Sequence, residues 1–550
     1  MDGPVPVEVP VGIRAIRWST VPAERTVLVV VHNVTTVTRL LDVLPAFEND
    51  FRIQLVFSSS GSDPFQHGLR SLLDELGAIT IPWSQARQEK FDLVLSASHH
   101  GGLGDITGPT VIFSHGIGYT KYSPGNRKPE TGNRQTFGLS PQWVLYDGEP
   151  VAEAFVLSHE EQLTRLIAAA PAAAEKAVIA GDPCYDRILA SVDYRDRYRK
   201  ALNSSDRTVV MVSSTWWSNS LLGSWPDFLR GLLSELPIDR YQVIAALHPN
   251  VRHGHSPLQI NTWLADCLRS GLILLPEIDG WRAGLIAADL ICGDHGSVTG
   301  YGAALRKPTV LAAFGDEDVA TGSPISLLGA TAPRLTTHRP LLPQIRAALD
   351  DHDPGRYAEV ADLVTSVPGE SLARLRTLFY SVLNLPEPQH EPPVGPIPAP
   401  VISADPTRIA TRVRYELNRE ARLARLVRYP AEVWRPTGGL RADDPADTHL
   451  SCPDDYPIRS LRTSAAILTS EDDVVGANRR AIRALLGDQR SVVTTPVGDR
   501  IELSGPGCPP EVHASVVYAW LNQGHALGEL APTITVELGG QRYELDVTLR

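Results

Sequence analysis

Five consecutive aliphatic residues, Val27-Leu28-Val29-Val30-Val31, run into His32. A strand with one wet face alternates apolar and polar residues, whereas an unbroken run needs cover on both faces, as in a parallel sheet packed between helices. The flanking chain repeats that demand. A helical stretch from Val37 to Phe47 precedes a strand at Arg52 to Phe57, a helix near Leu69 to Leu76, and strands at Ala78 to Ile81, Leu93 to Ser96 and Thr110 to Phe113. This alternation predicts a doubly wound α/β domain.

A second series follows, with strands at Thr208 to Val212, Gln242 to Ala246, Leu272 to Leu274, Leu290 to Cys292 and Thr309 to Ala312, separated by helices at Trp225 to Leu236, Leu258 to Ser270 and Trp281 to Ala287. Two Rossmann-like halves are expected, residues 1–184 and 185–385, with a hinge between Tyr185 and Asp206. The helical stretch Leu341 to Leu385 either closes the second half or crosses back to the first.

Proline is dense from Pro386 to Pro406, which predicts an extended linker over 386–406. From Thr407 to Tyr429 there are seven arginines and two glutamates, with Ile409, Val413, Leu417 and Leu423 at near-helical intervals. The expectation for 407–440 is a basic amphipathic helix, packed on the acidic bulk of the protein, adsorbed to anionic lipid, or bound to nucleic acid. Residues 441–550 read as a small, independently folding α+β module. A helix at Glu511 to Gln523 and two alternating strands around Gly539-Gly540 form its clearest part.

Composition excludes several classes. With 63 acidic and 51 basic residues and a net charge of -12, non-specific nucleic-acid binding by the whole molecule is not expected. The five cysteines, Cys184, Cys267, Cys292, Cys452 and Cys508, show no metal-ligand spacing and are expected to be reduced and mostly buried. No basic-then-apolar leader opens the chain and no run approaches about 18 apolar residues. The expected location is cytoplasmic, with a peripheral place on the inner face of the membrane left open by the basic segment.

Candidate chemistry lies at strand ends, where open α/β sheets bind ligands. After Thr110 to Phe113 comes Ser114-His115-Gly116-Ile117-Gly118-Tyr119-Thr120-Lys121. An imidazole there suits a general base for an acceptor hydroxyl, against the plainer reading of a loop-capping histidine. After Gln242 to Ala246 comes His248-Pro249, where His248 can donate to a phosphate or ribose. After Leu290 to Cys292, the loop Gly293-Asp294-His295-Gly296-Ser297-Val298-Thr299 opens a helix whose first N–H groups, with the Ser297 and Thr299 hydroxyls, suit a diphosphate. A tight turn explains the same small residues equally well. Glu277 can accept from a ribose, Asp279 reads as a solvated helix N-cap, and Trp216, Trp217 and Trp225 suit stacking or the core.

In order and spacing these segments resemble the CDP-glycerol glycerophosphotransferase family, the teichoic-acid polymerases and primases, which use the GT-B fold of two Rossmann-like domains facing a cleft. The family's HGT-P-x-K type loop is matched by His115 to Lys121, without the proline and with the lysine one residue later. Its G-x-P-R-x-D type turn is matched by Gly181 to Asp186 without the arginine, and its A-P-T-W/F-R type turn at Thr215 and Trp216. The H-P pair matches His248-Pro249. The aD-x-L-I-T-D-Y-S-S-v segment matches Ala288 to Val298, keeping Asp294 and Ser297 but carrying His295 and Gly296 for the tyrosine and first serine, and Lys307-Pro308 falls at the kP pair.

The resemblance spans residues 110 to 315 and implies a transferase that moves a glycerophosphate, polyol phosphate or sugar from a CDP- or UDP-linked donor to an acceptor hydroxyl. His115 is implied as base. His248, Asp294, Gly296, Ser297, Val298 and Thr299 are implied as the nucleotide-binding set, with Gly116, Lys121, Thr215, Trp216 and Glu277 as further cleft residues. Neither a metal nor another cofactor is implied, since no acidic pair precedes the donor loop. A lipid-linked or membrane-surface acceptor and a protein partner for the C-terminal module are compatible with this reading. A catalytically degenerate nucleotide-binding scaffold and a UDP-sugar 2-epimerase-like enzyme are the alternatives.

Overall fold

The computed structural model describes residues 7–11, 15–114, 116–123, 134–402, 408–435, 448–472 and 480–550. Strands β1 (Arg25–Val31), β2 (Ile53–Ser59), β3 (Leu93–Ser96), β4 (Thr110–Phe113), β5 (Ala154–Leu157) and β6 (Ala177–Ile179) form one parallel sheet in the order β2-β1-β3-β4-β5-β6. Val27 to Val31 is fully buried, as an unbroken apolar run requires. Residues 78–81 are not a sheet strand, because there only an isolated bridge joins Thr80 to Phe57. The short strands β5 and β6 carry too few residues for a periodicity to show.

The second parallel sheet runs β9-β8-β7-β10-β11, from β7 (Thr208–Ser214), β8 (Tyr241–Leu247), β9 (Ile273–Leu274), β10 (Leu290–Gly293) and β11 (Thr309–Leu311). The C-terminal part of the 341–385 stretch crosses back. Helix Ser371–Leu383 buries Leu372, Leu375, Phe379, Tyr380 and Leu383 in the core of the first sheet, with Phe379 stacked on Phe47 at 5.3 Å. Helix Leu341–Asp350 stays with the second sheet through Leu341 and Ile345.

The proline-rich segment has no helix or strand through residue 402, but it is no free tether. Ile397 is 1% exposed, its N–H donates to Ser191 Oγ at 3.0 Å, and its carbonyl accepts from Tyr198 at 2.7 Å. The part of 386–406 that is described is strapped along both halves.

Beyond it the expected basic helix is absent among the described residues 408–435. Residues 411–430 are an antiparallel hairpin, β12 (Thr411–Asn418) and β13 (Leu423–Pro430), turning at 419–422. The physical reason is a coincidence of periods. Val413 and Leu417 are four apart, which places them on one face of a helix and equally on one face of a strand, and Thr411, Val413 and Tyr415 all point inward with arginines between them.

The hairpin belongs to a closed nine-stranded barrel with β14 (Thr448–Pro453), β15 (Ile467–Ser470), β16 (Ile482–Gly487), β17 (Arg490–Thr494), β18 (Arg500–Ser504), β19 (Thr533–Leu538) and β20 (Gln541–Leu549). The small α+β module is therefore corrected to a barrel that already begins at Thr411. Closure removes the open edges that a loose sheet would expose. The β19–β20 turn is formed by Gly539 and Gly540, with φ of 63° and 94°, as its two-residue length requires. Helix His513–Asn522 shares one core with the inward barrel residues and is buried on nearly every side, so its stripe of Val512, Val516, Ala519 and Trp520 is wider than an amphipathic reading allows.

The barrel is docked on the second half. Arg428 pairs with Asp239 at 2.6 Å, Arg269 pairs with Glu432, and Val433 enters the second-half core. All five cysteines are free and buried. Among the described residues no helix is long and apolar enough to cross a membrane, and no cluster of His, Cys, Asp or Glu is placed to hold a metal ion.

Candidate functional site

Because every strand of both sheets is parallel to its neighbours, the loops after β1, β3, β4, β7, β8 and β10 leave at the carboxyl edges, and the two halves turn those edges toward each other. Between them lies a cavity of about 460 Å³. Gly116, Lys121, Thr215, Trp216, His248, Glu277, Gly296, Ser297 and Val298 all line it. His115 lies outside the described residues; its neighbours Ser114 and Gly116 line the cavity.

Helix Ser297–Ala304 opens at Gly296, whose φ of -81° and ψ of 157° are those of an N-cap with no side chain to cap it. Its first N–H groups are accordingly directed at the cavity wall without a side-chain acceptor. The Ser297 hydroxyl accepts from the Ile117 N–H at 3.3 Å, which ties the first-half loop to the second-half helix. A side chain at Gly116 would meet that hydroxyl, so glycine is needed for the close approach.

His248 caps helix Pro249–His255: its Nδ1 accepts from the Asn250 N–H at 3.1 Å, which places the proton of the neutral ring on Nε2. His295 repeats the arrangement, with Nδ1 accepting from Gly315 at 3.2 Å, and also lines the cavity. Burial depresses the Lys121 ammonium from its usual range, opposed by the charges of Asp294 and Asp318. The second half thus brings an open helix terminus and two imidazole N–H donors to one region, and the first half adds a lysine.

Two expected ligand contacts are corrected. Asp294 is fully buried and accepts from the backbone N–H groups of Thr215 (2.8 Å), Leu221 (2.9 Å) and Gly296 (3.0 Å). Burial raises its pKa against those bonds, and its work is to hold the Thr215 turn against the loop that opens helix Ser297–Ala304. Thr299 is also fully buried, its hydroxyl turned toward Gly293 in β10. A carboxylate and a core-facing hydroxyl make poor diphosphate contacts.

Glu277 reaches the cavity with its carboxylate engaged by Arg252 at 3.0 Å and His253 Nε2 at 2.7 Å. Trp216 meets Phe65 of the first half edge-on, 4.9 Å between centroids, so one aromatic contact spans the cleft. Trp217 lines the cavity with a φ of 89°, a conformation that costs a bulky residue strain and often marks a working site. Trp225 is half-buried and packs against the second-half core beside Phe228.

Sequence reading missed the opposite wall. Asn33 donates to Asp63 at 2.8 Å, and His100 stands beside Trp143 (4.7 Å) and Phe137 (5.6 Å), its pKa lowered by burial and raised in part by Asp63. The signal was present, since His99-His100 follow β3 as His115 follows β4.

Also missed was the charge network under the cleft. Arg39 pairs with Asp182 at 2.6 Å and donates to the Gly116 carbonyl and the Tyr301 hydroxyl, each at 2.8 Å. Arg282 pairs with Asp42 and with Asp279, each at 2.6 Å, and Arg187 joins Asp279 at 2.9 Å. Asp279 occupies the N-cap position of helix Gly280–Ala287 but makes no capping bond, so the solvated cap is corrected to an ion pair with Arg282 and Arg187 within the second half.

No family model matches the sequence, and no curated protein matches it. Among solved structures, the wall teichoic acid polymerase TagF covers 66% of this chain and 89% of its own, at 13% identity and a TM-score of 0.46. HepE from Anabaena with UDP-glucose covers 66% and 99%, at 12% and 0.40. MnaA from S. aureus with UDP covers 67% and 99%, at 13% and 0.42. The teichoic-acid polymerases that the sequence motifs resemble are thus among the structural neighbours.

Proposed function

We propose that the chain is a GT-B transferase that moves a glycerophosphate, polyol phosphate or sugar from a CDP- or UDP-linked donor to an acceptor hydroxyl. The observation that carries this reading is convergence: the open N-terminus of helix Ser297–Ala304, the Nε2–H donors of His248 and His295, and Lys121 border one cavity between two parallel sheets. Such donors favour negative charge growing on a departing nucleotide phosphate.

In this reading His115 accepts the proton of the acceptor hydroxyl. The acceptor oxygen bonds to the transferred phosphorus or anomeric carbon, the bond to the nucleotide phosphate breaks, and that phosphate keeps the electron pair. Donor contacts come from Ser297, Val298, Gly296 and His248, while Asp294 positions their loop. Thr215 and Trp216 border the same space.

Calorimetric titration with CDP, UDP and GDP, followed by an assay of donor consumption with and without polyol and sugar acceptors, tests the proposal. Tight diphosphate binding with acceptor-dependent turnover supports it. Binding without turnover favours the scaffold, and conversion of a UDP-sugar without acceptor favours an epimerase.

A further inference from the structure

A second cationic surface lies away from the cleft, where the barrel meets the second half. Arg412 of β12 stands opposite Tyr429 of β13, and its guanidinium covers the Trp434 ring, 5.4 Å from the centroid. Its Nε is buried without a hydrogen-bond partner, and burial alone depresses its pKa. The charges of three more guanidinium groups on separate elements act on the Tyr429 phenol, each lowering its pKa against the rise from burial: Arg414 of β12, Arg346 of helix Leu341–Asp350 and Arg240 of the turn before β8. Arg240 also lies against the β19–β20 turn, 3.6 Å from where a side chain at Gly540 would begin. All three are exposed.

None of the four makes an ion pair or side-chain hydrogen bond with a described residue. That is unexpected in a chain with 63 acidic and 51 basic residues, where the hairpin arginines Arg419, Arg425 and Arg428 each have a carboxylate and Arg422 donates to the carbonyls of Thr533, Glu529 and Leu530. An uncompensated, partly buried guanidinium costs free energy that an anion would recover. Arginine forks on aromatic faces suit phosphate oxygens in particular.

We propose that this face binds a soluble ligand bearing several phosphates, with Arg412 gripping one and Arg414, Arg346 and Arg240 the next. Arg412 and Arg414 alternate along one strand, about 7 Å apart, so the ligand must spread its charge over that span. A soluble chain is favoured over a bilayer because Arg412 is recessed beside Trp434, out of reach of a flat headgroup layer.

The test is titration of the full chain with inorganic tripolyphosphate at low salt, for the native protein and for the triple variant Arg240→Glu, Arg346→Glu, Arg414→Glu. These three side chains are exposed and unpaired among the described residues, so the fold should persist, with an unchanged melting temperature as the control. The native chain should bind, at least tenfold more tightly than the variant, with affinity falling as salt rises. CDP or UDP titration should be the same for both proteins, which separates this site from the cleft. Tripolyphosphate binding that survives the triple change, or no binding by the native chain, overturns the proposal. So does binding confined to vesicles containing phosphatidylglycerol, which would make the face a membrane contact.

Discussion

Arg39 of the first half and Tyr301 of the second share Asp182: the guanidinium holds one carboxylate oxygen at 2.6 Å, the phenol donates to the other at 2.6 Å, and Arg39 donates to the phenol oxygen at 2.8 Å. Arg39 also holds the Gly116 carbonyl, so the same side chain that fixes the two halves also fixes the loop beside His115. Arg39→Ala should leave a buried carboxylate without its cation and lower unfolding free energy by about 3–5 kcal/mol. Tyr301→Phe should cost less, about 1–3 kcal/mol. Urea titrations of both single variants and the double variant give the coupling, and strict additivity would mean that the two side chains act apart.

Donor-side changes should separate phosphate from nucleoside. His248→Ala and Ser297→Ala are expected to weaken nucleoside diphosphate binding by about 1–3 kcal/mol each, with a smaller loss for the free nucleoside. Ser297→Ala also orphans the Ile117 N–H, so its melting temperature should be compared with that of His248→Ala. Equal losses for nucleoside and nucleotide would place both residues in the fold and away from phosphate.

The base assignment predicts the opposite signature. His115→Ala should slow transfer on the order of 100-fold to 10,000-fold while nucleotide affinity stays within a few fold. Native turnover in the variant would remove His115 from the mechanism and turn attention to His100, which lines the cavity.

Acid should loosen the barrel. His449 shares a bond with Ser515 Oγ at 2.9 Å and His513 with Ser491 Oγ at 3.0 Å, and burial pushes their pKa values down to about 3 and about 4. Unfolded imidazoles titrate near about 6.5, so as pH falls below that value the unfolded chain takes up protons that the native chain refuses. The stabilising contribution is complete above about 6.5 and declines toward the folded values, at about 1.4 kcal/mol per pH unit for each group. Urea unfolding of the native chain and of His449→Gln should therefore converge between pH 7 and pH 5. A constant gap would mean that the ring takes up its proton as readily in the native chain as in the unfolded one.

Legibility followed the range of the interactions. The VLVVV run of β1 announces burial on both faces by itself, and Gly539-Gly540 announces its turn, because both signals are local. His248, Ser297 and Trp216 could be placed at strand ends from order alone. Asp294 could not be told from a ligand contact, since its three N–H donors lie up to 79 residues away. The Arg39–Asp182 and Arg282–Asp42 pairs join residues 143 and 240 apart, and no spacing rule reaches so far. The barrel was hidden for another reason: a four-residue interval satisfies helix and strand alike, and only the arginines on either side of Val413 separate them.

The docked linker gives the last expectation. A chain cut at Leu385 loses Ile397 from the shared core, removes the carbonyl that accepts from the Tyr198 hydroxyl and the N–H that donates to Ser191 Oγ, and strips Arg428 from Asp239. Removing one buried isoleucine from a core typically costs about 2–5 kcal/mol, and the loss of Arg428 adds a smaller cost because removing the barrel returns Asp239 to water. These losses fall on the half that carries His248 and Ser297, so truncation at Leu385 should lower its melting temperature and weaken CDP or UDP binding. A chain ending at Ile402 should recover the part owed to Ile397 but not the part owed to Arg428. Limited proteolysis of the full chain should spare residues 386–402 for the same reason, despite their lack of helix or strand. Clean cleavage there, with unchanged melting of the 1–385 product, would show that the strap and the barrel contribute nothing to the second half.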